Sequence, residues 1–469
     1  MLLYLLWKHI HPIVQNCFLY IASKFEDQSS QKRFGTITLI GSIFNKGLLI
    51  SKYHKLTKKH SYQNLLISGP TGSGKTSRLL IPMLISLIQE GKSSIIVNDP
   101  SGEIFQNIAT YASETHKIVS LNFSNSTKSS GYNILSRIST FSGINKVSEM
   151  LTRISLGGST SDKFWELQTK SLLRILLSVL MHQNSEYKNM ANLKRLLNVF
   201  ATDPHKLLPV VERCNDPSVL MDFNALCATP EKTLQNIVAS AQGALEIFTD
   251  PEIARVTSYD SIDFQEMRRT PTLLFLHNSI GDMRYISPIQ SIFFEQLYSF
   301  LLQSLPESND LDINIILEEA SSLHIPILPV AISNTRKSRV VNVICIQSHS
   351  QLRDTYRESA TSILSNCVTK IMLPGQTDID ALKELEMLAG HYQDNSKDGN
   401  QATQSTISAS EVRMIKDDEI LILSSNKPLI KATTKPYYRS IRYKYPTRLP
   451  VYQLQISEAK REVKMMPLD

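Results

Sequence analysis

The 469-residue chain has 50 Lys and Arg against 43 Asp and Glu, a formal net charge of +7, and 42% hydrophobic residues. Single domains usually stop growing near ~250–300 residues, so this length predicts two domains or one domain with a large insertion. The hydrophobic fraction excludes global disorder, and the modest basic excess fits an anionic partner without requiring one. The cysteines include no C-x-x-C pair, which argues against a disulfide scaffold or zinc site and favours a reducing cytosol.

Residues 1–46 begin with the apolar stretch MLLYLLWKHIHPIVQNCFLYIAS, which Lys8, Pro12 and other polar residues interrupt. No run of ~18 apolar residues remains, so we expect an apolar helical segment without a transmembrane span. No small-residue cleavage site follows a basic start, so we expect no secretory signal. The aromatic residues suit either a membrane interface or a helix packed on the body of the protein, and the sequence leaves both open.

A predicted strand, loop and helix follow one another in residues 62–90. The apolar run 62–68 predicts a buried strand, and residues 78–90 have a helical pattern that Gly91 ends. The loop matches G-x-x-x-x-G-K-[ST]; with the next residue it comprises Gly69, Pro70, Thr71, Gly72, Ser73, Gly74, Lys75, Thr76 and Ser77. In this context its backbone N–H groups are expected to cradle phosphates. We therefore predict ATP and Mg²⁺ as cofactors, with Lys75 reaching the β- and γ-phosphates and Thr76 ligating the metal.

Six further apolar runs predict strands, with helical patterns between most of them: 93–99, 116–123, 270–277, 313–319, 340–348 and 367–374. This alternation is typical of an α/β fold with a mostly parallel sheet. Asp99 and Glu103 follow the first of these runs. Asp99 is expected either near the nucleotide edge of the sheet or in a simple turn with Pro100 and Gly102, and the sequence leaves both open.

Residues 145–262 contain no convincing strand pattern. Trp165, Leu172, Leu176 and Leu180 recur on one helical face, and residues 232–248 repeat the pattern. We therefore predict an all-α domain at 145–262, inserted in an ATPase domain formed by 47–144 and 263–440, with a C-terminal tail at 441–469. Residues 393–406 hold no large apolar residue, which predicts a mobile loop.

Two adjacent carboxylates, Glu318 and Glu319, end the predicted strand 313–319. A P-loop needs an acidic partner at the end of a neighbouring buried strand. Glu318 is expected at the metal-side position and Glu319 at the position that activates water. The alternative is a pair of solvated carboxylates at a strand end.

A basic, tyrosine-rich segment occupies residues 435–448, with the sequence KPYYRSIRYKYPTR. Aromatic rings between cations could stack on bases and pair with phosphates of single-stranded DNA. The alternation of Arg442, Tyr443, Lys444 and Tyr445 is also typical of an edge strand protected by charge, which is the interpretation we favour.

Together these segments resemble the coupling ATPases of type IV secretion and conjugation (TraG/TraD-like), relatives of the FtsK and HerA motors, from about Gly47 to Tyr438. GPTGSGKTS is similar to the family's P-loop, NDPSGEIF to its D-P-K-G-E element and FWELQTKSLL to the opening of its all-α domain. LEEASSLHIPILP resembles D-E-F-x-x-L-G-x-I-P, and IQSHSQLRDTY resembles Q-S-x-x-Q-L-x-x-x-Y. Glu318 replaces the family's Asp, and Arg339 stands in what is usually a Gly-rich turn.

This resemblance implies a RecA/FtsK/HerA-like P-loop NTPase and adds two site residues. Arg336 would be a finger reaching the γ-phosphate of a neighbouring subunit, and Gln347 would sense the γ-phosphate. The alternatives are an exposed helix arginine for Arg336 and a polar strand-end cap for Gln347.

The function that the resemblance implies is ATP-driven DNA translocation, coupling a relaxase–DNA complex to a type IV secretion channel during conjugative transfer. The implied partners are single-stranded DNA without sequence preference, a relaxase or relaxosome, the channel's ATPases and inner-membrane components, and a homo-hexamer. The implied location is the bacterial cytoplasm, peripheral at the cytoplasmic face of the inner membrane. The alternative is an ATP-binding adaptor that recruits relaxase or protein substrates without pumping.

Overall fold

Short runs of Ile, Leu and Val form a large sheet in the computed structural model, which describes residues 33–156, 163–277, 280–395, 401–454 and 462–467. In chain order the strands are β1 (Gly41–Ser42), β2 (Lys55–Leu56), β3 (Leu65–Ser68), β4 (Ser93–Asn98), β5 (Lys117–Leu121), β6 (Thr272–Leu276), β7 (Asp312–Leu317), β8 (Val340–Ile346), β9 (Thr369–Met372), β10 (His391–Asn395), β11 (Gln401–Ser405), β12 (Glu419–Ser424) and β13 (Ile430–Thr433). The seven predicted strands are all present, as β3 to β9. Strands β3, β4, β7 and β8 are buried at every residue, as expected for a parallel sheet covered on both faces.

The large sheet has the strand order β13-β12-β9-β3-β8-β7-β4-β6-β5. Its central strands β9, β3, β8, β7 and β4 run parallel to one another. Their carboxyl ends therefore lie along one edge, which is where ligands bind in open α/β sheets. Two strands that the sequence did not predict, β12 and β13, extend the sheet in antiparallel orientation beyond β9.

Helices fill most of the connections between strands. In chain order they are α1 (Lys58–Ser61), α2 (Ile81–Glu90), α3 (Glu103–Ala112), α4 (Phe141–Leu156), α5 (Lys163–Met181), α6 (Met190–Thr202), α7 (Leu208–Glu212), α8 (Pro217–Cys227), α9 (Glu231–Leu245), α10 (Pro251–Val256), α11 (Met283–Gln303), α12 (Leu328–Asn334), α13 (His349–Tyr356), α14 (Ser359–Ser365), α15 (Ile379–Ala389), α16 (Ala409–Arg413) and α17 (Ile441–Lys444). Between β5 and β6 the described residues contain helices and no strand. No helix in the described parts of the chain is both long and apolar enough to span a membrane.

Contacts divide the described residues into two compact units. The first comprises the described residues up to Ile118 with Phe264–Phe275 and Glu295–Tyr452, and the second comprises Val119–Asp263, Leu276–Phe294 and the described residues after Tyr452. The predicted domain bounds stay a prediction, because a unit is defined by contacts and a domain by independent folding. The predicted N-terminal apolar segment falls largely outside the described residues, which begin at Arg33.

Two sequence interpretations were wrong. The segment 393–406 was expected to be a loop, but in its described residues β10 and β11 pair as an antiparallel ribbon, while residues 396–400 lie outside the described part of the chain. Backbone hydrogen bonds form such a ribbon without large apolar side chains, so the composition of the segment does not exclude it. The segment 435–448 was expected to be an edge strand, but it forms the 3₁₀ turn Tyr437–Arg439 and the short helix α17.

Candidate nucleotide-binding site

The P-loop begins directly after β3 and ends in the helical turn Lys75–Leu80. Gly69 N donates to Ile346 O at 3.2 Å, which fixes the start of the loop on the neighbouring strand β8. A Cβ atom on Gly69 would lie 2.6 Å from Ser73 Oγ, so glycine lets the loop close on itself. Gly74 has φ 91°, in the left-handed region that favours glycine. The loop therefore has the tight backbone curvature on which an anion cradle depends.

The Lys75 side chain is buried against its own loop. Its Nζ donates to Gly69 O at 2.6 Å and to Pro70 O at 3.3 Å. Ser73 Oγ is buried without a hydrogen-bond partner among the described residues. The Lys75 ammonium group thus donates to carbonyl oxygens of its own loop, and phosphate oxygens can replace these as acceptors.

Three polar side chains meet beside the P-loop where β4 and β7 end. Thr76 Oγ1 donates to Glu318 Oε1, while Glu318 Oε2 is buried and has no hydrogen-bond partner in the described part of the chain. Asp99 is fully buried and adjacent to Glu318, because Asn98 pairs with Leu317 in the parallel register. Burial raises the pKa of both carboxyl groups, and the charge of Asp99 raises that of Glu318 further.

A second group of polar side chains links β7, β8 and the P-loop. Gln347 Nε2 donates to Glu319 Oε2 at 2.7 Å, and Thr71 Oγ1 donates to Gln347 Oε1 at 3.0 Å. Burial raises the pKa of Glu319. The amide of Gln347 therefore connects the carboxylate expected to activate water with the loop expected to hold the phosphates.

The oxygen atoms at this edge fit Mg²⁺, which prefers hydroxyl, carboxylate, phosphate and water ligands. Thr76 offers a hydroxyl, Glu318 an unpaired carboxyl oxygen and Asp99 a second carboxyl. Among the described residues, no group of three or more His, Cys, Asp or Glu side chains could hold a metal by itself. Phosphate oxygens and water are therefore needed to complete the coordination.

Arg336 lies at the opposite edge of the sheet from these residues. It is exposed in the turn that precedes β8, and its carbonyl oxygen accepts from Arg339 N at 3.3 Å. Gln347 follows β8 at its other end, so the strand separates the two residues by roughly 20 Å at about 3.3 Å per residue. Within one chain Arg336 does not join the site, and its role as a finger toward a neighbouring subunit stays a prediction.

The structure thus brings together most of the predicted site residues at one edge: Gly69 to Ser77, Glu318, Glu319 and Gln347. Both alternatives for Asp99 hold: it is buried beside Glu318, and it begins a turn that Gly102 N closes onto its carbonyl at 3.1 Å. The link from Thr71 to Gln347 was not predicted, because only the strand order makes them neighbours. For Asp99, the sequence signal for a place at the site was its position directly after a buried strand.

Similarity to known proteins identifies the family of this chain. The family model for type IV secretory system conjugative DNA transfer matches residues 22–466. The chain belongs to this family. It is 21% identical over 401 residues to the protein VirD4 of Rhizobium radiobacter, covering 80% of this chain and 56% of that protein. It is 22% identical over 368 residues to the conjugal transfer protein TraG of Escherichia coli, covering 72% of this chain and 56% of that protein. The chain thus spans little more than half the length of these relatives.

Solved structures of a bacterial conjugative coupling protein share the fold. TrwBdeltaN70 in its sulphate-bound trigonal form matches with a TM-score of 0.70 at 17% identity, covering 87% of this chain and 92% of that one. TrwB in complex with ADP and Mg²⁺ matches with a TM-score of 0.68, also at 17% identity, over the same shares of the two chains. The predicted α/β P-loop NTPase fold is therefore confirmed.

Proposed function

We propose that this chain is an ATP-driven motor that couples a relaxase–DNA complex to a type IV secretion channel during conjugative transfer. The observation that carries the proposal is the hydrogen-bonded chain Glu319–Gln347–Thr71 beside the Thr76–Glu318 pair at one edge of the sheet. A loop that only binds a nucleotide has no need of a buried carboxylate held by an amide from the next strand. Membership of the conjugative DNA transfer family supports DNA as the cargo.

The residues would divide the chemistry as follows. Lys75 and Thr76 would hold the phosphates and, with Glu318, the metal, and Mg²⁺ when bound would supply positive charge that stabilises the transferring phosphoryl group. Gln347 occupies one oxygen of Glu319, which leaves the other oxygen to orient water and accept its proton. Gln347 also contacts Thr71, so a change at the phosphates is transmitted to Glu319 through two hydrogen bonds.

The assembly and partners form the finer part of the proposal. A homo-hexamer would place Arg336 of one subunit at the γ-phosphate of the next and would enclose single-stranded DNA held through its backbone. The relaxase or relaxosome would bring the DNA, and the secretion channel's ATPases and inner-membrane components would receive it. The motor would therefore work in the bacterial cytoplasm, at the cytoplasmic face of the inner membrane.

Steady-state ATPase activity with and without single-stranded DNA at low salt tests the proposal. We expect stimulation of several-fold that high salt reverses, because binding to the phosphate backbone releases counterions. The variant Lys75→Ala should lose turnover at all DNA concentrations. Turnover that DNA does not change in the wild-type chain, or that persists in Lys75→Ala, would contradict the proposal.

A second candidate is a nucleotide-gated adaptor that recruits substrates without pumping. It is favoured by Glu318, because burial and Asp99 raise its pKa and metal binding must then also displace a more tightly held proton. A conjugation assay with Glu319→Gln separates the candidates. A motor loses transfer with this variant, whereas an adaptor that needs only nucleotide binding retains it.

A further inference from the structure

Residues 462–467, the tail segment, lie against the start of helix α6 in the second unit. The segment has no regular secondary structure, and five of its six residues are exposed or half-buried. Met466 is the exception, at only 2% exposed. One buried apolar side chain and backbone hydrogen bonds therefore hold the tail segment in place.

The side-chain amide of Asn192 binds this backbone at two points. Its Oδ1 accepts from Met466 N at 2.9 Å, and its Nδ2 donates to Lys464 O at 2.8 Å. The same Nδ2 donates to Tyr187 O at 2.8 Å, which fixes the orientation of the amide. Asn189 Nδ2 adds a second bond to Lys464 O at 3.1 Å. The two asparagine side chains therefore grip the backbone of the tail segment, and we call this pair the amide clamp.

The amide clamp is built into the start of helix α6. Asn189 is the N-cap of this helix, and its Oδ1 accepts from Asn192 N at 2.9 Å. Asn192 is fully buried, and Met466 N is the donor to its Oδ1. A buried amide oxygen without a donor is costly, so water or another peptide N–H must replace Met466 N when the tail segment leaves. The clamp is thus held ready for a peptide backbone.

The contacts define which peptide fits the clamp. The carbonyl and the N–H that it binds lie two residues apart, and the residue between them, Met465, is 45% exposed. Lys464 Nζ lies 4.0 Å from Glu186 Oε2, but both side chains are exposed and such a pair adds little. Only Met466 must bury its side chain. Affinity from the backbone and selectivity from a buried side chain are typical of sites that bind extended peptides.

We propose that the amide clamp is a peptide-binding site and that the tail segment is its tethered, displaceable ligand. The free ligand is an extended segment of another protein, with an unbranched apolar side chain two residues after the carbonyl that the clamp binds. The tail segment keeps the site closed to such a partner until it is displaced. A short tether supplies a millimolar effective concentration, so the partner must compete against that concentration. The site uses none of the nucleotide-binding residues and does not depend on the proposed function.

The test uses the full chain and a fluorescent peptide of residues 462–467, labelled at its amino end and amidated at its carboxyl end. Met466→Asp empties the clamp, because a carboxylate is costly at a position that is only 2% exposed. We expect fluorescence anisotropy to show that the peptide binds this variant roughly tenfold more tightly than the wild type, in which the tethered segment competes. Met465→Asp places the same charge at the exposed neighbour and is the matched control, so it should bind the peptide as the wild type does.

Asn189→Asp tests the amide clamp itself. Aspartate keeps the oxygen that caps helix α6 and removes the N–H group that donates to Lys464 O. Added to Met466→Asp, it should weaken peptide binding roughly 3- to 10-fold, the range for one lost hydrogen bond. A peptide with aspartate in place of Met466 should bind none of these chains.

No binding of the peptide to Met466→Asp would overturn the proposal and make the tail segment a fixed part of the unit. Equal affinity for the wild type and Met466→Asp would overturn it as well, because the peptide would then bind elsewhere. Self-association of the wild type that Met466→Asp abolishes would also contradict it, since the tail segment would then serve a second copy of the chain.

Hydrogen exchange of the wild type gives the same decision if Met466→Asp does not fold. A displaceable ligand exposes the Met466 N–H by local opening while the amides of helix α6 stay protected. Exchange of Met466 N–H only together with those amides would overturn the proposal.

Discussion

Buried polar residues have different roles at the carboxyl ends and at the amino ends of the central strands. At the carboxyl ends of the strands, Glu318 Oε2 and Ser73 Oγ are buried without hydrogen-bond partners among the described residues. At the amino ends, the buried Arg268 donates to Leu311 O at 2.9 Å and to Ser338 O at 2.7 Å. Arg339 Nε, also at the amino ends, lacks a hydrogen bond but lies 3.4 Å from Asp312 Oδ1 in an ion pair. Buried polar atoms normally have partners, so the two unpaired oxygens at the carboxyl ends indicate where a ligand belongs. The amino-end edge is arranged for stability and the carboxyl-end edge for chemistry.

Arg336 provides the strongest test of this division between the two edges, because it lies at the amino-end edge and is predicted to act in catalysis. We expect Arg336→Ala to lower kcat by about 10³-fold or more, as for other arginine fingers, while ADP affinity and stability stay unchanged. Lys337→Ala, the exposed neighbour, is the control for ATPase measurements. Mixing Arg336→Ala with Lys75→Ala should restore part of the activity, since each subunit supplies the half-site that the other lacks. Normal turnover in Arg336→Ala would contradict a catalytic role for Arg336 and leave it with a structural one.

Glu319→Gln sharpens the comparison at the carboxyl-end edge. Removing a general base typically costs roughly 10²–10⁴-fold in rate, and we expect a loss in that range with ADP binding retained. Glutamine keeps the size of the side chain and an oxygen that can accept from Gln347, so the unfolding free energy should change little. Glu358→Gln, at an exposed position, controls for the loss of one negative charge. A proportional loss of ADP binding and turnover would assign Glu319 to binding instead.

Arg268→Ala is the matching test at the amino-end edge. The substitution leaves two backbone carbonyls, of Leu311 and Ser338, without their donors, at about 1–3 kcal/mol for each buried group. We expect the free energy of unfolding in urea to fall by about 2–4 kcal/mol, with kcat unchanged in the fraction that is folded. Arg269→Ala removes an exposed arginine one residue away and should cost less than about 0.5 kcal/mol. A loss of turnover without a loss of stability in Arg268→Ala would contradict the division between the edges.

Much of the fold was predictable because central parallel strands are buried on both faces. Runs such as 313–319 and 340–348 are almost continuously apolar, and the residues that end them define the site edge. The P-loop was predictable because its glycines are required by backbone geometry, as at Gly74. These signals are local, and each depends on a single stretch of sequence.

The parts that were missed depend on pairing or on distant packing. Asp99 could not be placed beside Glu318 without the β4–β7 register. The ribbon β10–β11 is held by backbone hydrogen bonds that its polar composition does not reveal. In 435–448 the period of two came from tyrosines that pack on α3 and on the core, such as Tyr443, and so imitated an edge strand.

The smallest predicted effect concerns the stability cost of the unsatisfied carboxyl at the carboxyl-end edge. Burial, and then the charge of Asp99, raise the pKa of Glu318 above its ordinary value of 4.5. The carboxyl group of Glu318 therefore binds a proton more tightly in the native chain than in the unfolded chain. The resulting stabilisation is complete below the unfolded pKa and is lost as the pH rises through the native one.

We therefore expect the unfolding free energy of the wild type to fall between about pH 5 and pH 8. This fall should exceed the fall in Glu318→Gln by at least ~1.4 kcal/mol, which is the free energy that corresponds to one pKa unit. Urea unfolding of both proteins at the two pH values measures this difference. Glutamine keeps an oxygen for Thr76 Oγ1 and does not titrate, so ionisable groups that do not interact with Glu318 cancel in the comparison. The difference therefore reports the joint titration of Glu318 and Asp99. Equal slopes would mean that Glu318 is already ionised at neutral pH. The case for a weak metal ligand, and with it for the adaptor, would then disappear.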